Sequence, residues 1–215
     1  MMFEIIRLTL IVNISATILG TIIGVLIGYR LYFSKSFLKP FWVYFTKTLM
    51  GIPPVVLGLM LFIVIRSNGP LGFFSLLFTP RAIVVAQTLL VIPIVAGNVY
   101  QLLVSKGEVL FFTLNMYKIG FMNKIKYSIL QFRNELLFIM ILGFSRTVSE
   151  VGAVMIVGGN IRGHTRVMTT AIASLRSQGS AEEAIAYGIV LLMITFVIQF
   201  LILRLGKEEE NHENF

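Results

Sequence analysis

The sequence predicts an all-α membrane protein with about five transmembrane helices. Of its 215 residues, 57% are hydrophobic and only 13% are charged, whereas soluble domains carry about 25% charged residues. The apolar residues form five runs, each close to the roughly 20 residues that cross a bilayer. The rest of the chain suffices for connections and a small cytosolic element, so a separate soluble enzymatic domain is not expected. The runs cover residues 8–29, 49–65, 82–104, 136–158 and 185–205.

The charged residues indicate orientation in a membrane. Eighteen Lys and Arg against ten Asp and Glu give a net charge of +8, and the bases flank the apolar runs, where they attract anionic lipid headgroups. Membrane lipid is therefore an expected partner, and nucleic acid is not. With no cysteine and only two histidines, the sequence offers no thiolate chemistry and no ligand set for a metal. No cofactor is expected.

The positions of Lys and Arg predict which connections are cytoplasmic. Residues 30–47 and 106–133 are rich in these bases, whereas the connection after the second run has only Arg66 and Arg81. By the positive-inside rule, the N-terminus lies outside the cell membrane and the C-terminus lies in the cytoplasm. We expect one transmembrane domain over residues 1–207 and a disordered acidic tail over residues 208–215.

Three glycines in the first run recur every fourth residue and therefore share one face of a helix. Without side chains on that face, another helix can approach closely. The alternative interpretation is that these glycines only add flexibility. The residues are Gly20, Gly24 and Gly28.

Prolines interrupt the second and third runs. Pro53 and Pro54 remove two backbone donors, which predicts a kink or break near the start of the second helix. Pro93 lies within the third run. Prolines at membrane depth suit a water-lined conduit and ordinary helix packing equally well, because neighbouring groups must satisfy the freed carbonyls in both cases.

Two opposite charges interrupt the fourth run. Arg146 and Glu150 are four residues apart, so on a continuous helix they lie on one face and neutralise each other within the bilayer. Charges at membrane depth indicate a functional site, here a position on a pathway or gate. The alternative is a buried ion pair that only fixes helix register.

The end of the fourth run combines small residues with bases. This composition predicts either a gate or anion-attracting vestibule, or a solvated turn with a glycine at the C-cap of the helix. The bases that follow lie in a loop predicted to be extracytoplasmic, where they would steer an anion or dock an acidic partner. The small residues are Gly158, Gly159 and Asn160, and the basic ones are Arg162, His164 and Arg166.

Residues 105–132 are too polar to cross a bilayer and too long for a tight turn, so they predict short cytosolic helices. Apolar residues near helical spacing offer anchors for the groove of a partner protein. The alternative is an amphipathic segment that rests on the bilayer surface. These apolar residues are Leu110, Leu114, Ile119, Ile125 and Ile129.

Three stretches resemble tungstate permeases of the ATP-binding cassette (ABC) superfamily. Residues 143–160 read GFSRTVSEVGAVMIVGGN and are followed by TRVMTTAI at 165–172. Residues 51–58 read GIPPVVLG, and residues 69–72 and 77–80 read GPLG and LFTP. Molybdate and sulfate permeases share the resemblance in weaker form, so molybdate or sulfate is the alternative substrate.

The resemblance implies a type I importer permease of MetI-like fold. Such a permease is a homodimer with its pathway between two copies. It is powered by cytosolic ATPase subunits and supplied by an extracytoplasmic oxyanion-binding protein. Because the chain has no Walker sequence, it is not expected to be an enzyme. The alternative from another class is a membrane scaffold or sensor that moves no solute.

The resemblance also implies a coupling helix within residues 105–132. The family's signature there is Glu-Ala-Ala followed after three residues by Gly, and in this chain it is degenerate, with Asn115 where Gly is expected. The segment is assigned to the ATPase contact by its position. The coupling residues implied are Glu108, Leu110, Phe111, Thr113, Leu114, Asn115 and Lys118.

Overall fold

The computed structural model describes the backbone of residues 2–213 and the side chains of residues 2–204. Over these residues the chain is helical and contains no β-strand. A 3-10 turn at Gly72–Phe74 interrupts the connection between the third and fourth helices. The α-helices are α1 (Met2–Phe33), α2 (Lys39–Met50), α3 (Pro54–Ile65), α4 (Pro80–Met116), α5 (Phe121–Gln131), α6 (Arg133–Ser149), α7 (Gly152–Gly158), α8 (Met168–Ser177) and α9 (Ala181–Glu213).

Up to five segments are long and apolar enough to cross a membrane. Helices α1, α4 and the part of α9 up to Arg204 qualify alone. The pairs α2 with α3 and α5 with α6 each qualify as one broken span, with bends of 103° and 74°. The upper number agrees with the five spans that the sequence predicts.

The double proline breaks the second span as predicted. Pro53 is the N-cap of α3 and Pro54 is its first residue. A proline at the first position of a helix loses no helical hydrogen bond, so the helix can begin there. In contrast, Pro93 lies inside α4 without ending it and is buried.

The third and fourth runs differ from their predicted lengths. Helix α4 continues to Met116 and so absorbs the first part of the segment that was predicted to form separate short helices. The fourth run is not one helix, because α6 ends at Ser149 and α7 begins at Gly152. Glu150 lies between them with extended dihedral angles, φ −82° and ψ 130°.

Helices α1 and α4 form the centre of the fold and pack through the glycine face of α1. A Cβ atom placed on Gly24 would lie 2.6 Å from the Cβ atom of Val95 and 3.0 Å from the carbonyl oxygen of Ile92. Close approach of a second helix was predicted and is confirmed. The same relation holds along the whole face, between Gly20 and Val91, Gly24 and Val95, and Gly28 and Val99.

Two apolar clusters lie at opposite ends of this central pair. One surrounds Ile83 and Val157, where α3 and α7 pack on α4. The other surrounds Tyr29 and Phe111, where α1 and α4 approach α5. Helix α9 packs on α6 and α8. In the predicted acidic tail, residues 208–215, the structure describes only the backbone up to Glu213, within α9. The side chains of the tail and residues 214 and 215 lie outside the described part, so its disorder stays a prediction.

Candidate functional site

The break between α6 and α7 is built around the buried side chain of Glu150, which is only 6% exposed. Its Oε1 atom accepts a hydrogen bond of 3.1 Å from the backbone amide of Ala153, in the first turn of α7. Its carbonyl oxygen accepts a bond of 3.0 Å from the Thr169 hydroxyl on α8. Glu150 therefore connects three helices, and its carboxylate satisfies a free amide at the start of α7.

The predicted ion pair between Arg146 and Glu150 is wrong. Because Glu150 has left α6, the two residues no longer share a helix face, and the carboxylate bonds to Ala153 instead. Among the described side chains, Arg146 has no acidic partner, and its enclosed Nε atom has no hydrogen-bond acceptor. Arg146 is thus a half-buried cation without neutralisation, at the depth of a predicted span.

Replacing Glu150 with alanine should destabilise the start of α7. The change leaves the Ala153 amide without an acceptor, and a buried unsatisfied donor costs about 1–3 kcal/mol. We expect a lower unfolding temperature for the purified protein in detergent. Glu150→Gln is the matched control, because an amide oxygen still accepts from Ala153. Equal stability of the alanine and glutamine variants would contradict this role.

The small residues after α7 form an ordered turn. Gly159 is the C-cap, with a left-handed φ of 71°, and its amide donates to the carbonyl oxygen of Met155 over 2.9 Å. The buried Thr165 hydroxyl accepts from the Ile161 amide over 2.9 Å and donates to the Gly158 carbonyl oxygen. The sequence predicted either a gate or anion-attracting vestibule, or a turn with a glycine at the C-cap. These contacts are those of the glycine-capped turn.

The three bases of this turn differ in their surroundings. The Arg166 guanidinium donates from Nε to the Asn160 side chain over 3.0 Å and from Nη2 to the Asn160 carbonyl oxygen over 3.3 Å. Burial lowers the pKa of Arg166 from its ordinary value, and the positive charge of Arg162 lowers it further. Arg166 therefore holds the turn, whereas Arg162 and His164 are exposed.

Several predicted coupling residues pack against their own chain. Phe111 is buried, with its ring centroid 4.9 Å from that of Phe33 and 5.4 Å from that of Tyr32, both on α1. Leu110 and Leu114 pack on the same cluster. Since α4 is continuous here, these residues lie on its inner face. The prediction that they anchor a partner is corrected for Phe111, which is covered.

The remaining predicted coupling residues lie at or near the exposed end of α4. Glu108, Thr113 and Lys118 are exposed, and the Asn115 side-chain oxygen accepts a hydrogen bond from Lys124 on α5. Lys118 has a left-handed φ of 53° and turns the chain toward Gly120, the N-cap of α5.

Sequence reasoning missed a set of exposed apolar side chains on this segment, which we name the coupling face after the role that we propose for it under Proposed function. Phe112 is 66% exposed and Met116 is 70% exposed. They are four residues apart on α4, a spacing that marks one helix face. That signal is visible only if α4 is continued past residue 105. The coupling face comprises Val109, Phe112, Met116, Tyr117 and Met122.

Helix α5 is fastened to α1 at two points beside the coupling face. The hydroxyls of Tyr29 and Ser128 are 2.8 Å apart, and the rings of Phe33 and Phe121 have centroids 5.2 Å apart. Helix α1 is in turn bound at its other end, where the Thr9 hydroxyl accepts from the Met168 amide on α8 over 2.9 Å. A continuous helix therefore joins the coupling face to the opposite end of the molecule.

Long apolar helices, together with two broken helix pairs that qualify as spans, are those of a multi-pass membrane protein. No protein-family model matches the chain, but individual relatives do. It is 41% identical over 206 residues, which are 96% of this chain and 90% of the relative, to the tungstate uptake system permease protein TupB of Peptoclostridium acidaminophilum. It is 35% identical over 170 residues, 79% of this chain and 71% of the relative, to TupB of Campylobacter jejuni.

A third relative comes from another organism. The chain is 34% identical over 167 residues, 72% of its own length and 69% of the relative's, to a probable anion ABC transporter permease protein of Haloferax volcanii. The chain belongs to the family of ABC transporter permeases that includes these proteins. The resemblance and the membrane-embedded helical class that the sequence predicts are confirmed.

Proposed function

We propose that this chain is the transmembrane permease subunit of an ABC importer for tungstate. The observation that carries the proposal is the 41% identity to a tungstate permease, which extends over 96% of this chain. As a permease, the chain forms part of a path for solute and works with an ATPase and a solute-binding protein. It has no catalytic role of its own, and ATP is hydrolysed by the separate ATPase subunit.

The transport mechanism proposed is alternating access. The binding protein delivers the oxyanion to an outward-open dimer, and closure of the ATPase pair reverses the opening. Each partner must prefer one of the two states, because a ligand that binds both states equally shifts nothing. The pathway lies between two copies of the chain, with Arg146, Glu150 and the turn at 158–160 near it.

The orientation proposed places the N-terminus outside and the C-terminus in the cytoplasm of the cell membrane. The bases at residues 30–47 and 106–133 support it. In this orientation the coupling face is cytosolic, where five exposed apolar side chains suit a protein partner. The exposed Arg162 and His164 lie outside and suit the docking of an acidic surface of the binding protein.

The coupling face also suggests another register for the family's cytosolic signature. If the signature glycine is Gly120, the three preceding signature positions fall on Leu114, Asn115 and Met116, at the end of α4. This register places the signature on the turn between α4 and α5, beside the coupling face. We propose this turn as the contact with the ATPase subunit.

Purification of the tagged chain from native membranes tests the proposal. An ABC ATPase and an oxyanion-binding protein should accompany it, and the loaded binding protein should stimulate ATP hydrolysis. Tungstate, molybdate and sulfate are supplied in parallel to the binding protein, and tungstate should bind most tightly. If the intact chain brings neither partner, the importer is excluded and a scaffold or sensor role takes its place.

A further inference from the structure

One stripe of α6 is largely exposed. The helix packs on α1, α4, α5 and α9. Phe138, Leu142 and Ser149 are exposed, and Arg146 is half-buried among them. The four residues follow one another at intervals of three or four, so they share one helix face.

The uncovered faces of α1 and α9 differ from this stripe. The exposed residues between 11 and 26 on α1 are all isoleucine or leucine, and those between 185 and 203 on α9 are all apolar. Such faces suit contact with lipid. The α6 stripe instead carries a hydroxyl and a guanidinium, and a charged side chain in hydrocarbon costs several kcal/mol. The α6 stripe therefore faces water or another polar surface.

The two acidic groups nearest in sequence do not neutralise Arg146. The Glu150 carboxylate is bound to the α7 backbone, and Glu135 forms a 2.6 Å ion pair with Lys106 at the other end of α6. The Nε atom of Arg146 is enclosed and has no acceptor among the described residues, whereas the residue as a whole is only half-buried. The Nη atoms of a guanidinium form a cationic fork that matches two oxygens of an anion.

We propose that Arg146 is a contact site for the transported tetrahedral oxyanion inside the pathway. This inference rests on the proposed function, in which two copies enclose the pathway. Each copy then contributes one guanidinium, and the two positive charges match a dianion. The site holds the anion only in transit, because conduction requires binding that is weak enough for release.

The absence of cysteine from the chain allows a direct test on the whole transporter in membrane vesicles. Ser149 is exposed one turn after Arg146 on the same stripe, so Ser149→Cys places a thiol where the charge of the guanidinium acts on an approaching reagent. An anionic methanethiosulfonate should modify this thiol faster than a cationic one. Adding Arg146→Gln should lower the anion-to-cation rate ratio roughly tenfold, because loss of one nearby positive charge slows the anionic reagent and speeds the cationic one.

The control for water access is Leu192→Cys on α9, where the side chain is 72% exposed on the apolar face. That thiol should react with neither reagent, because apolar surroundings raise the pKa of a thiol and leave little reactive thiolate. If the Ser149→Cys thiol is equally unreactive, or if Arg146→Gln leaves the rate ratio unchanged, the inference is overturned.

Uptake separates this inference from the proposed function. In reconstituted complexes with binding protein and ATPase, Arg146→Gln should lower oxyanion uptake per ATP hydrolysed at least roughly tenfold, and Arg66→Gln, in the connection after α3, should not. Arg146→Lys keeps the positive charge but lacks the planar fork of guanidinium donors. Combined with Ser149→Cys, it should keep the faster reaction of the thiol with the anionic reagent, but it should transport less oxyanion. If the wild type takes up none of the three oxyanions, the proposed function fails. If the wild type transports and Arg146→Gln matches it, only the inference fails.

Discussion

Replacing Gly24 with valine is expected to separate α1 from α4 and to prevent accumulation of folded protein. The new Cβ atom would lie 2.6 Å from the Val95 Cβ and 3.0 Å from the Ile92 carbonyl oxygen, and valine adds two further methyl groups. Overpacking usually costs about 1–3 kcal/mol, and a clash with backbone exceeds the usual case. Since native proteins are stable by about 5–15 kcal/mol, we expect more than half of the protein to aggregate on extraction in mild detergent.

The matched control is Gly188→Val on α9, where a Cβ atom would meet nothing within 4 Å. Both changes gain the same helix propensity, so a difference between them measures the clash. A milder pair completes the test: Gly24→Ala should destabilise, and Val95→Gly should restore part of the loss. Normal yield and unfolding temperature of Gly24→Val would show that α1 and α4 do not pack as described.

The glycine face of α1 could be predicted because its signal is local. Three glycines four residues apart mark one helix face in any context. The partner of that face could not be predicted, since valines recur in several runs and only the fold selects Val91, Val95 and Val99. The break at Pro53 and Pro54 was equally local, because each proline lacks its own backbone donor.

The break at Glu150 depends on contacts that are distant in sequence. Its carbonyl oxygen is bound by Thr169, nineteen residues away, and the neighbouring Gly152 faces Val55 on α3 closely enough that a Cβ atom would lie 2.6 Å from Val55 Cγ2. No local sequence pattern predicts these contacts. The sequence therefore predicted a continuous helix with an ion pair between Arg146 and Glu150. In the structure the helix breaks at Glu150, and the Glu150 carboxylate accepts from the Ala153 amide at the start of α7.

The structure gives residues 105–132 an exposed apolar face that the sequence did not predict. The predicted anchors followed the apolar residues, whereas burial depends on the direction in which α4 continues. Phe111 points to α1 and is covered, while the adjacent Phe112 is exposed. Adjacent residues on a helix differ by about 100° in direction. Without the orientation of the helix, the sequence therefore does not show which of two adjacent apolar residues is buried.

Introducing acidic residues into the coupling face is expected to release the ATPase subunit. In the variant with Phe112→Asp and Met116→Asp, two exposed apolar side chains become charged, and neither side chain belongs to the buried clusters. The permease itself should therefore fold normally. A central hot-spot side chain at a protein interface contributes about 2 kcal/mol or more, and a buried unpaired carboxylate adds a further cost. Replacing Phe112 and Met116 with aspartate should therefore weaken the association at least roughly hundredfold.

The measurement is the amount of ATPase subunit that copurifies with the tagged permease, together with oxyanion uptake, and both should be lost. Phe73→Asp is the matched control, because Phe73 is 74% exposed and lies in the connection proposed to be extracytoplasmic. That variant should keep its ATPase partner. Full copurification with the double variant would remove the coupling face from the interface, whereas loss of the partner from both variants would assign the effect to folding. The helices that carry the coupling face, α4 and α5, are fastened to α1. Losing the ATPase subunit from this face should therefore stop uptake even if the pathway stays intact.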